Sequence, residues 1–224
     1  MSALGPHAAE PAAYAGLLPQ EATAALVLVH GRGGSAEDIL GLADFIDGRD
    51  LALVAPRAAG HTWYPQSFLA PVAANEPGRS SGLSVLESIV EDLKASGIPS
   101  EKVILAGFSQ GACLTLEFVA RHPQRFGGVA GLTGGLIGPP GSLGGYEGSL
   151  DGTPVFLGSG DPDPHVPWAR VEETAEILEQ LGAVVEVERY PGRPHTISQD
   201  ELIRLDALVA QALSRHHPEL TRSC

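Results

Sequence analysis

Residues 103–112 read VILAGFSQGA. Four apolar residues, Val103 to Ala106, run into Gly107-Phe108-Ser109-Gln110-Gly111, and an apolar, helical-looking stretch follows from Ala112 to Ala120. This is a buried strand, a sharp turn and a helix, with the pattern G-x-S-x-G across the turn. A serine on so tight a turn presents its hydroxyl away from the sheet. The strand and helix then pass close together, so the residues two before and two after the serine must be small. Gly107 and Gly111 meet that demand. In a chain with 28 glycines the pattern alone proves little; the remaining segments must supply a base, an acid and an oxyanion site.

Working outward, strands alternate with helices. Ala25 to Val29 is a short apolar run that reads as a buried strand, ending in His30-Gly31-Arg32-Gly33-Gly34. Ser35 is expected to N-cap a helix through about Ile46, with Glu37 and Asp38 in its first turn. The strand Leu51 to Ala55 follows. A helix is predicted from about Gly82 to Ser96, with Leu83, Leu86, Ile89, Val90 and Leu93 on one face. The helix after Ser109 stops near His122, before Pro123. Further strands are predicted at Val129 to Leu132, Thr153 to Ser159 and Val184 to Tyr190, the last alternating as near a sheet edge. Helices are predicted over about Trp168 to Leu181 and about Ser198 to Arg215, the second burying Leu202, Leu205, Leu208, Val209 and Leu213.

The alternation predicts one α/β domain over residues 1–224: a mostly parallel central sheet with helices on both faces and no large cap domain. Residues 1–23, rich in Ala, Pro and Gly, are expected to lie at the periphery. Residues 57–81 have no clean period, yet hold Trp63, Tyr64 and Phe68. Two readings stay open there, a cover over a pocket or rings that plug the edge of the core.

Composition narrows the function classes. Of the 224 residues 43% are hydrophobic and 18% charged, which fits a compact globular chain. A formal net charge of −13 argues against nucleic acid or an anionic membrane as partner and against stable membrane association. Two cysteines, Cys113 and Cys224, make a disulfide framework unexpected and suit a reducing compartment. The N-terminal residues lack the basic start and apolar core of a secretory signal, so a cytoplasmic location is the default expectation. A homodimer is left open.

In open parallel sheets the functional groups collect at the carboxyl ends of the strands. Applied here, that rule brings together the 30–34 loop, Ser109, Asp161 and Asp163 after the strand at 153–159, and His195 after the strand at 184–190. A serine hydroxyl needs a base to take its proton, and imidazole titrates near neutrality. The imidazole needs a carboxylate to fix its tautomer. His195 sits in a loop bounded by Pro191, Gly192 and Pro194; His7, His122, His216 and His217 lie near termini or at a helix end. Spacing alone leaves both Asp161 and Asp163 available. The backbone N–H of Gln110, next after the nucleophile, is one expected oxyanion donor.

The order Ser, Asp, His, with HGRGG at 30–34, WYP at 63–65, GFSQGA at 107–112, GDPDPHVP at 160–167 and the His195 loop, resembles the phospholipase/carboxylesterase family of α/β-hydrolases, which includes acyl-protein thioesterases. The resemblance implies the α/β-hydrolase fold and a catalytic Ser109, Asp163 and His195, the acid falling in D-x-x-V-P, with Asp161 left as a turn residue that caps its loop. It also implies Arg32 as the second backbone oxyanion donor, a structural role for His30, and an acyl pocket lined by Trp63 together with Phe68, Leu69 and Leu136. The family often has an apolar residue where this chain has Arg32, whose side chain is expected to pair with a surface carboxylate.

The reaction expected is hydrolysis of short- to medium-chain carboxylic esters through an acyl-enzyme. Thioesters and lysophospholipids are alternatives within the same chemistry, and a non-catalytic ligand-binding protein is the alternative from another class. No cofactor is expected, and the eight histidines form no H-E-x-x-H metal spacing. An imidazole base predicts ester hydrolysis that declines on the acid side of neutrality, read as kcat/KM against pH; a rate level down to about pH 4.5 would exclude it.

Overall fold

The computed structural model describes residues 5–214. Its strands are β1 (Ala13–Gly16), β2 (Ala24–Val29), β3 (Leu51–Ala55), β4 (Val103–Phe108), β5 (Gly128–Leu132), β6 (Pro154–Asp161) and β7 (Val184–Pro191). They form one sheet in the order β1-β3-β2-β4-β5-β6-β7, parallel except for β1, which runs antiparallel to β3. The helices are α1 (Ala36–Leu40), α2 (Gly78–Ala95), α3 (Gln110–Arg121), α4 (Trp168–Gln180) and α5 (Gln199–Ser214).

Because successive side chains on a strand point to opposite faces, each central strand feeds two cores. Ala25, Val27 and Val29 of β2, Val103 and Leu105 of β4, and Val155 and Leu157 of β6 pack with α2, α3 and α4. Ala24, Leu26 and Leu28, Ile104 and Ala106, and Phe156 pack with α1 and α5. Both faces are therefore covered, which is why these strands read as unbroken apolar runs. This is the α/β-hydrolase layout expected from the sequence, and no cap domain is inserted among the described residues. No helix among them is long and apolar enough to cross a membrane.

The sequence places the elements well and their ends less well. β1 was not expected; it adds a short strand at the edge of β3, inside the peripheral 1–23 segment. The helix begun at Ser35 is a single short α1, capped reciprocally by Ser35 and Asp38, and continues as a 3-10 turn over Gly41–Phe45. The α2 helix starts at Gly78, before the predicted Gly82. A Cβ at Gly78 would collide with the Trp63 carbonyl, at 2.5 Å. Arg79 also anchors that first turn to the fully buried Glu117 of α3. Glu117 further accepts from Arg121, the Ile137 N–H and the Tyr146 hydroxyl, so one carboxylate joins α2, α3 and the 133–152 loop. In α5, Leu205, Leu208 and Val209 are buried as expected, whereas Leu202 and Leu213 are only partly covered. Arg215, Cys224 and the histidines at 216 and 217 lie outside the described residues.

The elbow explains its glycines. Ser109 has φ 53° and ψ −116°, a conformation L side chains seldom adopt. A Cβ on Gly107 would strike the Gly111 carbonyl, and one on Gly111 would strike the Val29 and His30 carbonyls. Gly111→Ala is expected to destabilise the fold by about 3 kcal/mol. Gly41→Ala, at φ −60° with open space around it, is expected to stay within about 1 kcal/mol of the parent. Urea unfolding of the two variants checks the contrast.

Candidate active site

Pairing in register brings the predicted loops to one edge of the sheet. Val29 lies beside Gly107, Phe108 beside Leu132, and Asp161 beside Pro191. Ser109, Asp163 and His195 meet there. The Ser109 hydroxyl lies 2.8 Å from His195 Nε2, and His195 Nδ1 lies 2.8 Å from Asp163 Oδ2. The other Asp163 oxygen accepts the N–H groups of His165 at 2.8 Å and Val166 at 2.9 Å. Burial opposes ionisation of this carboxyl. The hydrogen bonds from the His165 N–H, His195 and the Val166 N–H outweigh it and hold the group below the usual aspartate range. Ionised Asp163 therefore stabilises the fold above the unfolded-state carboxylate range, a contribution lost as pH falls through its lowered value.

Asp161, the alternative acid, points elsewhere. Its side chain pairs with Arg189 and does not cap the loop as expected. The pairing is available because β6 and β7 run in register, placing Ser159 opposite Arg189 and Asp161 two residues on.

The cavity beside Ser109 has a volume of about 680 Å³. Phe68 and Leu69 line it as predicted, together with Tyr64, Phe108 and Val166. Trp63 and Leu136 do not. Each has no exposed surface. Trp63 is turned into the core, where its indole N–H donates to the His30 carbonyl at 2.9 Å. Leu136 is a buried part of the 133–152 loop, its carbonyl accepting from buried Arg170. The 57–81 segment thus satisfies both open readings: Trp63 plugs the core, and the residues after it form a cavity wall.

That wall is held by side chains whose partners lie far from them in the sequence. Among the described residues Arg32 forms no carboxylate pair. Its guanidinium donates to the carbonyls of Tyr64 (2.9 Å), Pro65 (3.1 Å) and Gln66 (2.8 Å), and to the Thr62 hydroxyl (3.0 Å). A planar guanidinium with its fork of donors suits such a cluster of oxygens. The Gln110 side chain clips the wall from the first turn of α3: its Oε1 accepts the Trp63 N–H at 2.9 Å and its Nε2 donates to the Tyr64 carbonyl at 2.8 Å. His7, dismissed as terminal, is buried and bonds the Trp63 carbonyl and the Ala59 N–H. His30 is buried too; desolvation pulls its pKa below the ordinary value, and the neutral ring accepts the Ala58 N–H through Nε2.

Arg32 and Gln110 both border the cavity, and as first residue of α3, Gln110 has no intrahelical acceptor for its N–H. A Cβ on Gly31 would meet Ser109 Cβ at 3.4 Å, so the 30–34 loop packs directly on the elbow. Burial pushes the Cys113 thiol, also at the cavity, up to about 12.

A sequence profile of the family described as Phospholipase/Carboxylesterase matches residues 18–212. The chain belongs to this family. A crystal structure of a phospholipase/carboxylesterase from Dyadobacter fermentans superposes with a TM-score of 0.88 at 44% identity, covering 93% of this chain and 99% of that one. A probable carboxylesterase, SOBER1-like, of Arabidopsis thaliana is 30% identical over 147 residues, 64% of this chain and 56% of its own. Acyl-protein thioesterase 1 of Debaryomyces hansenii is 33% identical over 127 residues, 56% of this chain and 55% of its own. The matches thus span little more than half the length of these two curated relatives of the phospholipase/carboxylesterase family.

Arg32→Met is expected to free residues 62–66, lowering stability by about 1–3 kcal/mol. Limited proteolysis should then cut within that stretch, where the parent resists.

Proposed function

We propose that this chain is a serine carboxylesterase that hydrolyses short- to medium-chain carboxylic esters through an acyl-enzyme. The observation that carries this reading is the continuous hydrogen-bonded line from Ser109 through His195 to Asp163, each link 2.8 Å. His195 takes the Ser109 proton as the hydroxyl oxygen attacks the ester carbonyl. Ionised Asp163 fixes the imidazole tautomer and stabilises the imidazolium that forms. The backbone N–H groups of Arg32 and Gln110 receive the negative oxygen of the tetrahedral intermediate. The imidazolium then returns its proton to the leaving alcohol, and water attacks the acyl-enzyme by the same route in reverse order. Family membership and the names carried by the relatives support ester or thioester hydrolysis. The cavity walls of Phe68, Leu69 and Val166 support an apolar acyl group, and its 680 Å³ suits a short to medium chain.

Acyl thioesters are the second reading, favoured by the similarity to proteins named acyl-protein thioesterase. The same three residues would act on either class. The cytoplasm remains the proposed location.

Ser109→Ala is expected to lower ester hydrolysis by about 10⁴-fold or more while the folded state persists. A fluorophosphonate probe should label the parent at Ser109 and leave the variant unmodified. Rates on esters and thioesters of graded acyl length separate the two substrate readings, and a parent that accepts no label and turns over neither class would overturn both.

A further inference from the structure

His195 lies on a largely exposed loop between β7 and α5, where Pro191, Gly192, Pro194 and Thr196 all face solvent. Two backbone bonds steady it, from the Gly192 N–H to the Asp161 carbonyl at 2.9 Å and from the Arg193 N–H to the Tyr190 carbonyl at 3.3 Å. A base that must hold 2.8 Å to a serine on another loop needs firmer support than this.

The Arg193 side chain, two residues before His195, supplies it. Its guanidinium pairs with Glu201 and donates to Ser198 Oγ at 3.2 Å and Thr133 Oγ1 at 3.0 Å. It also lies over the Tyr190 ring, 4.4 Å from the centroid. Glu201 is fully buried and closes the capping box of α5, accepting the Ser198 N–H at 2.8 Å while its own N–H bonds Ser198 Oγ. The room for that carboxylate comes from Gly158, where a Cβ would meet Glu201 Oε1 at 2.6 Å. The third partner, Thr133, adjoins Leu132, whose carbonyl accepts the Ser109 N–H at 3.0 Å. Thr133 is itself pinned, its N–H donating to the Gly158 carbonyl at 2.7 Å.

We infer that Arg193 is a positioning residue that sets the His195–Ser109 distance, by tying the base's loop to α5 through Glu201 and to the end of β5 through Thr133. The inference rests on the triad reading above. Arg193 borders neither the cavity nor the reacting atoms. It acts on the rate through the placement of His195, while the substrate-binding walls stay as they are.

The test uses two mild variants. Arg193→Met would leave the buried Glu201 carboxylate without its ion-pair partner and risks unfolding. Arg193→Lys keeps a charge for Glu201 but cannot bridge to Thr133, and Thr133→Ala removes that bridge alone. Both are measured on a p-nitrophenyl ester well below the thermal midpoint of each. Arg193→Lys is expected to lower kcat about 10- to 100-fold with KM within about twofold, and to slow fluorophosphonate labelling of Ser109 in parallel. Thr133→Ala should lower kcat in the same direction by a smaller factor. If both variants keep kcat and labelling rate within about twofold of the parent, the inference is overturned. If the parent itself hydrolyses no ester and takes no label, the triad reading fails and this inference fails with it.

Discussion

Contact between the backbone of Gly111 and the carbonyls of Val29 and His30 governs the geometry of the whole site. No side chain fits between them. The absence of a Cβ lets α3 descend onto the end of β2, which forces the turn at Ser109 into its left-handed conformation and lifts the hydroxyl above the sheet. The same approach sets the 30–34 loop against the elbow, so the proposed nucleophile and the proposed oxyanion donors are located by one steric fit.

Each remaining part of the site has its own brace. Asp163 is held by two backbone N–H groups of its own loop. The cavity wall is held by Arg32 and Gln110, and the His195 loop by Arg193. Gln110 is buried and Arg193 half-buried, while Arg32 is exposed and holds the wall through four bonds at once. Ion pairs at the outer surface, such as Arg49 with Asp47, contribute little to stability beside them. The strongly acidic balance of the chain is a property of that outer surface, separate from the chemistry at the sheet edge.

What the sequence makes legible follows from how local the physics is. β2, β3 and β4 are continuous apolar runs because both faces are covered, and α2 shows its buried face at helical spacing; both are periodic signals. Parallel strands deliver their carboxyl ends to one edge, which brings Ser109, His195 and both Asp161 and Asp163 together, and the family resemblance singles out Asp163. The errors all involve distant partners. The start of α2 is fixed by the Trp63 carbonyl and by Glu117, neither of which is near it in the chain. The aromatic residues of 57–81 fit a pocket or a core equally, the family resemblance places Trp63 at the pocket, and the His30 carbonyl that its indole reaches puts it in the core. Arg32 was expected to find a carboxylate, yet a cluster of four neutral oxygens from a loop some thirty residues on holds it. His7 and Arg193 gave no signal of their own. A residue type in a loop says nothing of its bonds until the fold brings the acceptors in.

The Gln110 side chain spans two structures usually treated apart, the first turn of α3 and the wall of the pocket. Its two bonds to Trp63 and Tyr64 make them one cooperative unit of local unfolding. Breathing of the wall would fray the helix that carries the serine, so amide hydrogen exchange at Trp63 should follow that of the α3 N-terminal turn.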